Sequence, residues 1–142
     1  MKKEEHLQLQ ICEYINSQHP TALFNTDLAG MKMTMGQAKK VKKLRKTNGM
    51  PDLQILKSNS KFNGLFLELK SVTPFKKNGE LKKDDHIKEQ SEVLTLLSMQ
   101  GYKAVFVWDF NDAKLIIDNY MAIPSHNVII STNRVTTFYP NK

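Results

Sequence analysis

The longest uninterrupted apolar run is Ala104-Val105-Phe106-Val107-Trp108, and it constrains the fold more than any other segment. Five residues cannot cross a bilayer, which takes about 20. A run with no polar alternation predicts a strand over Tyr102 to Trp108 that is covered on both faces. Such a strand belongs to a sheet with one layer above it and another below. In a chain of 142 residues, one core of this kind is the expected number.

The rest of the pattern supplies the layers. Leu7, Ile11, Tyr14 and Ile15 recur at three- and four-residue spacings and predict a helix over Glu4 to Ser17, ended by Pro20. Ala22 to Asn25 reads as a short strand and Leu28 to Gly36 as a loop. Gln37 to Lys46 reads as a mostly polar helix, and Asn48-Gly49 as a break. Asp52 to Lys57 and Leu65 to Lys70 read as two strands joined by the turn-rich Ser58 to Gly64, hence a hairpin. Ser71 to Asp85 is lysine-rich, contains Pro74 and Gly79, and reads as a mobile loop. A helix over His86 to Gln100 offers Ile87, Val93, Leu94, Leu96 and Leu97 to the core and stops at Gly101. Asn111 or Asp112 caps a last helix to about Met121. Val128 to Ile130 and Val135 to Phe138 suit a terminal hairpin. This order predicts an α/β fold, a central mixed β-sheet flanked by helices. Residues 1–121 form the main domain, and 122–142 an extension packed on it.

Composition narrows the setting. Hydrophobic residues make up 40% and charged residues 25%, which is globular rather than disordered. The single cysteine, Cys12, supports neither an internal disulfide nor a zinc site and reads as a packing residue. His6, His19, His86 and His126 show no ligand spacing and read as surface residues. Near Met1 nothing resembles a secretion signal, so a cytoplasmic protein without membrane contact is expected.

The net charge is +7, and its location matters more than its size. Lys32, Lys39, Lys40, Lys42, Lys43, Arg45 and Lys46 fall between Leu28 and Pro51, a window without acids. Removing these seven from the 21 basic residues leaves 14 against 14 acidic ones. The whole excess therefore sits in one segment. A localised positive field is what a polyanion-binding protein needs; a solvated helix face is the plain alternative.

The chemistry concentrates in Gly49-Met50-Pro51-Asp52 and, one hairpin later, Glu68-Leu69-Lys70. Side chains two apart on a strand share a face, so Glu68 and Lys70 point the same way. A hairpin partner brings Asp52 beside them. Two converging carboxylates make a poor core but a good site for a hard divalent cation, which keeps waters and a substrate phosphate in its shell. An ammonium there orients a water or stabilises developing negative charge. An ordinary surface ion pair between Glu68 and Lys70 is the alternative.

These residues resemble the PD-(D/E)xK nuclease signature, and more narrowly the VRR-NUC group of virus-type replication-repair nucleases. The resemblance spans about residues 5 to 121. It includes Glu5 and Gln8 in the first helix, the basic stretch, Glu89-Gln90, the segment from Leu97 to Val107 and the last helix to Tyr120. It implies a restriction-endonuclease-like core. It also implies metal ligation by Asp52, Glu68 and the backbone carbonyl of Leu69, a catalytic Lys70, an active-site Gln90 and a first-helix acid at Glu5, with neighbouring Glu4 leaving the register open. The insertion from Pro74 to Asp85 and the tail after Met121 depart from the pattern.

The combined expectation is a Mg²⁺- or Mn²⁺-dependent DNA endonuclease of replication, recombination or repair. Its origin would be bacterial, phage or mobile-element. By analogy with single-domain relatives it is a homodimer acting on four-way junctions. Its basic segment from Lys32 to Lys46 tracks the DNA backbone. Two rivals stand beside it: a non-catalytic nucleic-acid-binding module, and a degradative or restriction-like nuclease acting on ordinary DNA.

Overall fold

A computed structural model describes residues 1–27, 32–47 and 49–125. Its elements in chain order are α1 (Lys3–Gln18), β1 (Phe24–Thr26), α2 (Met35–Leu44), β2 (Leu53–Ile55), β3 (Leu65–Leu69), α3 (Asp85–Met99), β4 (Lys103–Val107) and α4 (Phe110–Ala122). The strands form one sheet in the order β1-β2-β3-β4. The first three pair antiparallel, and β4 joins β3 in parallel after the crossover through α3. The fold is α/β, a mixed sheet flanked by helices. Among the described residues no helix is long and apolar enough to cross a membrane.

Strand β3 organises both layers. Its odd residues Leu65, Leu67 and Leu69 share one buried cluster with Leu7, Ile11 and Ile15 of α1 and Ala113, Ile117 and Tyr120 of α4. Alternation sends Phe66 and Glu68 to the opposite face. There Glu68 meets Gln90 of α3, whose Val93 and Leu94 are also buried. All five residues of β3 are therefore buried.

The run that most suggested burial behaves differently. Only Val107 of β4 is fully buried; Lys103 to Phe106 are half-buried. Among the described residues β4 ends the sheet, with a paired neighbour on one side only. Cover on both faces is thus the property of β3. Leu96, expected in the core, is 60% exposed, while Gln90 takes a buried place on the inward face of α3. Gly101 does stop α3: its φ is +86°, which favours glycine. Helix α4 starts earlier than expected and is capped by Asp109, whose carboxylate accepts from Asp112 N–H. Ser71 to Asp85, expected as a mobile loop, contains a hydrogen-bonded turn with Phe75 bridged to Leu81. The Phe75 ring packs edge-on to Phe106 and Trp108, tying that turn to β4. The expected terminal hairpin, His126, Asn48 and the stretch from Leu28 to Met31 lie outside the described residues.

One polar cluster joins α1 to α4. Tyr14 donates to Asp118, with O–O distances of 2.6 and 2.8 Å, and His19 Nε2 lies 2.8 Å from the same carboxylate. The Tyr14 hydroxyl is the chief cause that holds the Asp118 carboxyl below its ordinary range. A depressed carboxyl stabilises the fold above the ordinary carboxylate range, and that contribution is lost as pH falls through the folded value. Tyr14→Phe is expected to destabilise the fold at neutral pH, a difference that shrinks in acid. Urea unfolding of parent and variant at neutral pH and below the carboxylate range checks both statements.

Candidate active site

Register builds the site first. Leu53 pairs with Leu67. Continuing that antiparallel register by one residue sets Asp52 opposite Glu68, on the same face of the sheet. Asp52 Oδ2 accepts from Leu69 N–H at 2.8 Å, which fixes the carboxylate to the end of β3. In an extended strand a residue's N–H and C=O project to the same edge, so the Leu69 carbonyl lies on the Asp52 side. Lys70 follows immediately, its N–H donating to Val107 O at 2.8 Å.

The loop carrying Asp52 is held against α3. Thr47 Oγ1 donates to Glu89 at 2.9 Å, and Gly49 N–H donates back to Thr47 Oγ1 at 3.1 Å. A Cβ at position 49 would stand 3.2 Å from both Glu89 Cγ and Val93 Cγ2, so the close approach favours glycine.

Asp52, Glu68, Lys70 and Gln90 line one cleft of about 590 Å³. Its far wall is α2, through Ala38, Val41, Lys42 and the following Arg45. Helix α2 is well capped: Thr34 Oγ1 accepts from Gln37 N–H, and Gln37 Oε1 accepts from Thr34 N–H. Yet it contains no buried residue. Arg45 pairs with Asp27, an acid just outside the basic window, so part of that charge is matched locally. Lys32, Lys39, Lys40, Lys43 and Lys46 are exposed and do not line the cleft.

The structure places the two first-helix acids differently. Glu5 is exposed and accepts from Lys2 N–H at 3.0 Å, a capping contact at the start of α1. Glu4 instead lines the cleft and accepts from Ser71 N–H at 3.1 Å. His86, read from sequence as a surface residue, also lines the cleft beside Gln90. Its signal was present: His86 and Gln90 are four apart on one helix and share a face.

Electrostatics mark the carboxylates as a strained pair. Glu68 is 2% exposed. Burial, then the Asp52 charge, push its carboxyl up to about 9, with Lys70 opposing. Burial also raises Asp52, opposed by the Leu69 N–H. A group that must keep a proton at neutral pH is one that a cation can relieve. Glu68 Oε2 and Gln90 Oε1 are buried and receive no protein hydrogen bond. Among the described residues no three His, Cys, Asp or Glu side chains form a ready-made metal cage. Two carboxylates, a carbonyl and space for water fit instead a hydrated Mg²⁺-type ion, which is held by one or two carboxylates.

No family model matches the chain, and no curated protein matches it. A solved structure described as a "VRR_NUC domain protein" shares its fold, with a TM-score of 0.64 at 19% identity over 88% of this chain and 93% of the other. The chain therefore has a VRR-NUC-like fold, consistent with a restriction-endonuclease-like core.

The Glu68 proton gives a test that needs no substrate. The folded chain keeps it to about pH 9, whereas the unfolded chain releases it in the ordinary carboxylate range. Metal-free stability therefore falls as pH rises between those limits. Glu68→Gln places an amide where the protonated carboxyl stood and has no proton to lose. Near pH 9 the metal-free variant is expected to be more stable than the parent, and in acid the difference closes. Thermal unfolding across that range reads the outcome.

Proposed function

We propose that this chain is a metal-dependent nuclease hydrolysing phosphodiester bonds in DNA. The observation that carries the proposal is the convergence of Asp52, Glu68, Lys70 and Gln90 on one cleft with unpartnered buried acceptors at its floor. A non-catalytic nucleic-acid-binding module has no need of a buried, proton-retaining carboxylate. The shared fold supports the same reading.

Asp52, Glu68 and the Leu69 carbonyl would hold Mg²⁺ or Mn²⁺. When bound, the ion supplies charge neutralisation at the scissile phosphate and a more acidic water. The chain's own groups do the rest. Lys70 shares the strand face of Glu68 and stabilises the negative charge that develops on the phosphate. Gln90 Oε1 accepts a hydrogen bond from the attacking water and orients it. Glu4 fixes the Ser71 backbone just beyond Lys70 and adds negative charge to the cleft. Lys42 faces the substrate from α2, while Lys32, Lys39, Lys40, Lys43, Lys46 and Arg45 extend the positive field along the phosphates. In-line displacement leaves a 5′-phosphate and a 3′-hydroxyl. The finer reading, from family resemblance, is branched or four-way DNA cut by a homodimer.

Cleavage of duplex, flap, single-stranded and four-way DNA with Mg²⁺, Mn²⁺ or EDTA tests this directly. Asp52→Asn and Lys70→Met are expected to lower the single-turnover rate by about 10²–10³-fold, with DNA binding in Ca²⁺ retained. Lys70→Arg should also be severely impaired, because a planar fork does not replace a compact ammonium. Wild-type turnover in folded Asp52→Asn and Lys70→Met overturns the mechanism. Equal cleavage of all substrates would instead favour the degradative reading.

The basic helix makes a separate prediction. Neutralising Lys39, Lys40, Lys42 and Lys43 should weaken binding similarly across sequences. Each lost phosphate contact should flatten the log affinity against log salt slope by about 0.9 for duplex DNA. Fluorescence anisotropy over a salt series measures it.

A further inference from the structure

The amide nitrogen of Gln90 has two neighbours: Glu68 Oε1 at 2.5 Å and His86 Nε2 at 3.2 Å. We propose that His86 is a positioning residue whose Nε2 lone pair takes the second N–H of Gln90, holding the Gln90 carbonyl oxygen as the acceptor for the attacking water. The assignment of that water rests on the nuclease reading above; the side-chain arrangement does not.

The argument is a count of donors and acceptors. A glutamine amide offers two N–H donors on one atom and lone pairs on the other. Glu68 faces the nitrogen and takes one hydrogen. The second points to a ring nitrogen, which can accept only if it carries no proton, so His86 holds its proton on Nδ1. Both donors are then committed, and the oxygen alone remains. That oxygen is buried and has no partner. The terminal torsion of glutamine is broad, so one hydrogen bond leaves the amide free to swing. Two hydrogen bonds, to groups on different elements, define its plane. His86 is well placed for this because it sits one turn before Gln90 on α3 and lines the same cleft. Its ring is exposed, so burial does not account for its position.

The test uses the full chain with His86→Leu, which removes the acceptor, and His86→Gln, whose Oε1 restores one at similar reach. The expected result is a single-turnover rate about 10–100-fold lower for His86→Leu, unchanged DNA affinity in Ca²⁺, and recovery of most of the rate in His86→Gln. In a Gln90→Ala background His86→Leu should have no further effect, since the two act as one unit. A loss of affinity would identify His86 as a phosphate contact and overturn the proposal. So would an equal loss of rate in both backgrounds. A second readout needs no substrate: nitrogen-15 NMR of the metal-free chain at alkaline pH should show His86 protonated on Nδ1. Protonation on Nε2 overturns the arrangement even in an active enzyme. Protonation on Nδ1 in a chain that cuts no DNA supports the arrangement and rejects the nuclease reading alone.

Discussion

Glu68 is the fourth of five residues in the most buried strand of the sheet, and its charge cannot be left unanswered there. Removing a carboxylate from water is costly, and a protein can offset that with a proton, a cation or hydrogen-bond donors. Gln90 supplies one donor, to Oε1, while the Asp52 charge across the register and its hydrogen bond with the Glu68 carboxyl favour the protonated form over the charged one. The arrangement is therefore incomplete by design of its own geometry. Leucines on the other face of β3 are packed in the core, so turning Glu68 outward would disturb that packing. Core packing on one face of the sheet enforces chemical readiness on the other.

The same helix turn governs two parts of the cleft. Glu89 receives Thr47, which orders the loop leading to Asp52, while its neighbour Gln90 reaches Glu68. Adjacent side chains on α3 thus set both carboxylates, one through a loop and the other directly. Close packing of Gly49 against Glu89 and Val93 leaves little freedom between helix and loop. A shift of α3 would move Asp52 and Gln90 together, which preserves their spacing better than independent supports would.

Much of this was legible in the residues. Period-two patterning and a turn-rich connection gave the hairpin, and the hairpin brought Asp52 to Glu68 and Lys70. Other features were not legible, for identifiable reasons. Apolar composition reports burial but not a strand's place in the sheet. Strand β4, at the edge of the described sheet, therefore looked more central than β3, whose apolar run is broken by Glu68 itself. Glu4 and Glu5 differ by about 100° around a helix; the stripe of Leu7 and Ile11 puts Glu4 on the core-facing side, a signal the resemblance to Glu5 did not use. His86 was set aside because scattered histidines lack metal spacing, although its four-residue separation from Gln90 places both on one face. Arg45 looked unopposed because its partner Asp27 precedes the basic window. The fold itself is shared with a structure at 19% identity, so its architecture tolerates extensive sequence divergence.

Helix α2 forms a wall of the cleft without contributing a buried residue to the protein. Substitutions at exposed positions outside special features usually change stability by less than about 0.5 kcal/mol. Its lysines can therefore be exchanged almost freely as far as folding is concerned, whereas Glu68 and its leucine neighbours cannot. Selection acting on the α2 surface is thus uncoupled from selection acting on the buried floor of the cleft. A lineage built on this plan can rewrite one surface helix while the buried floor of the cleft is inherited unchanged.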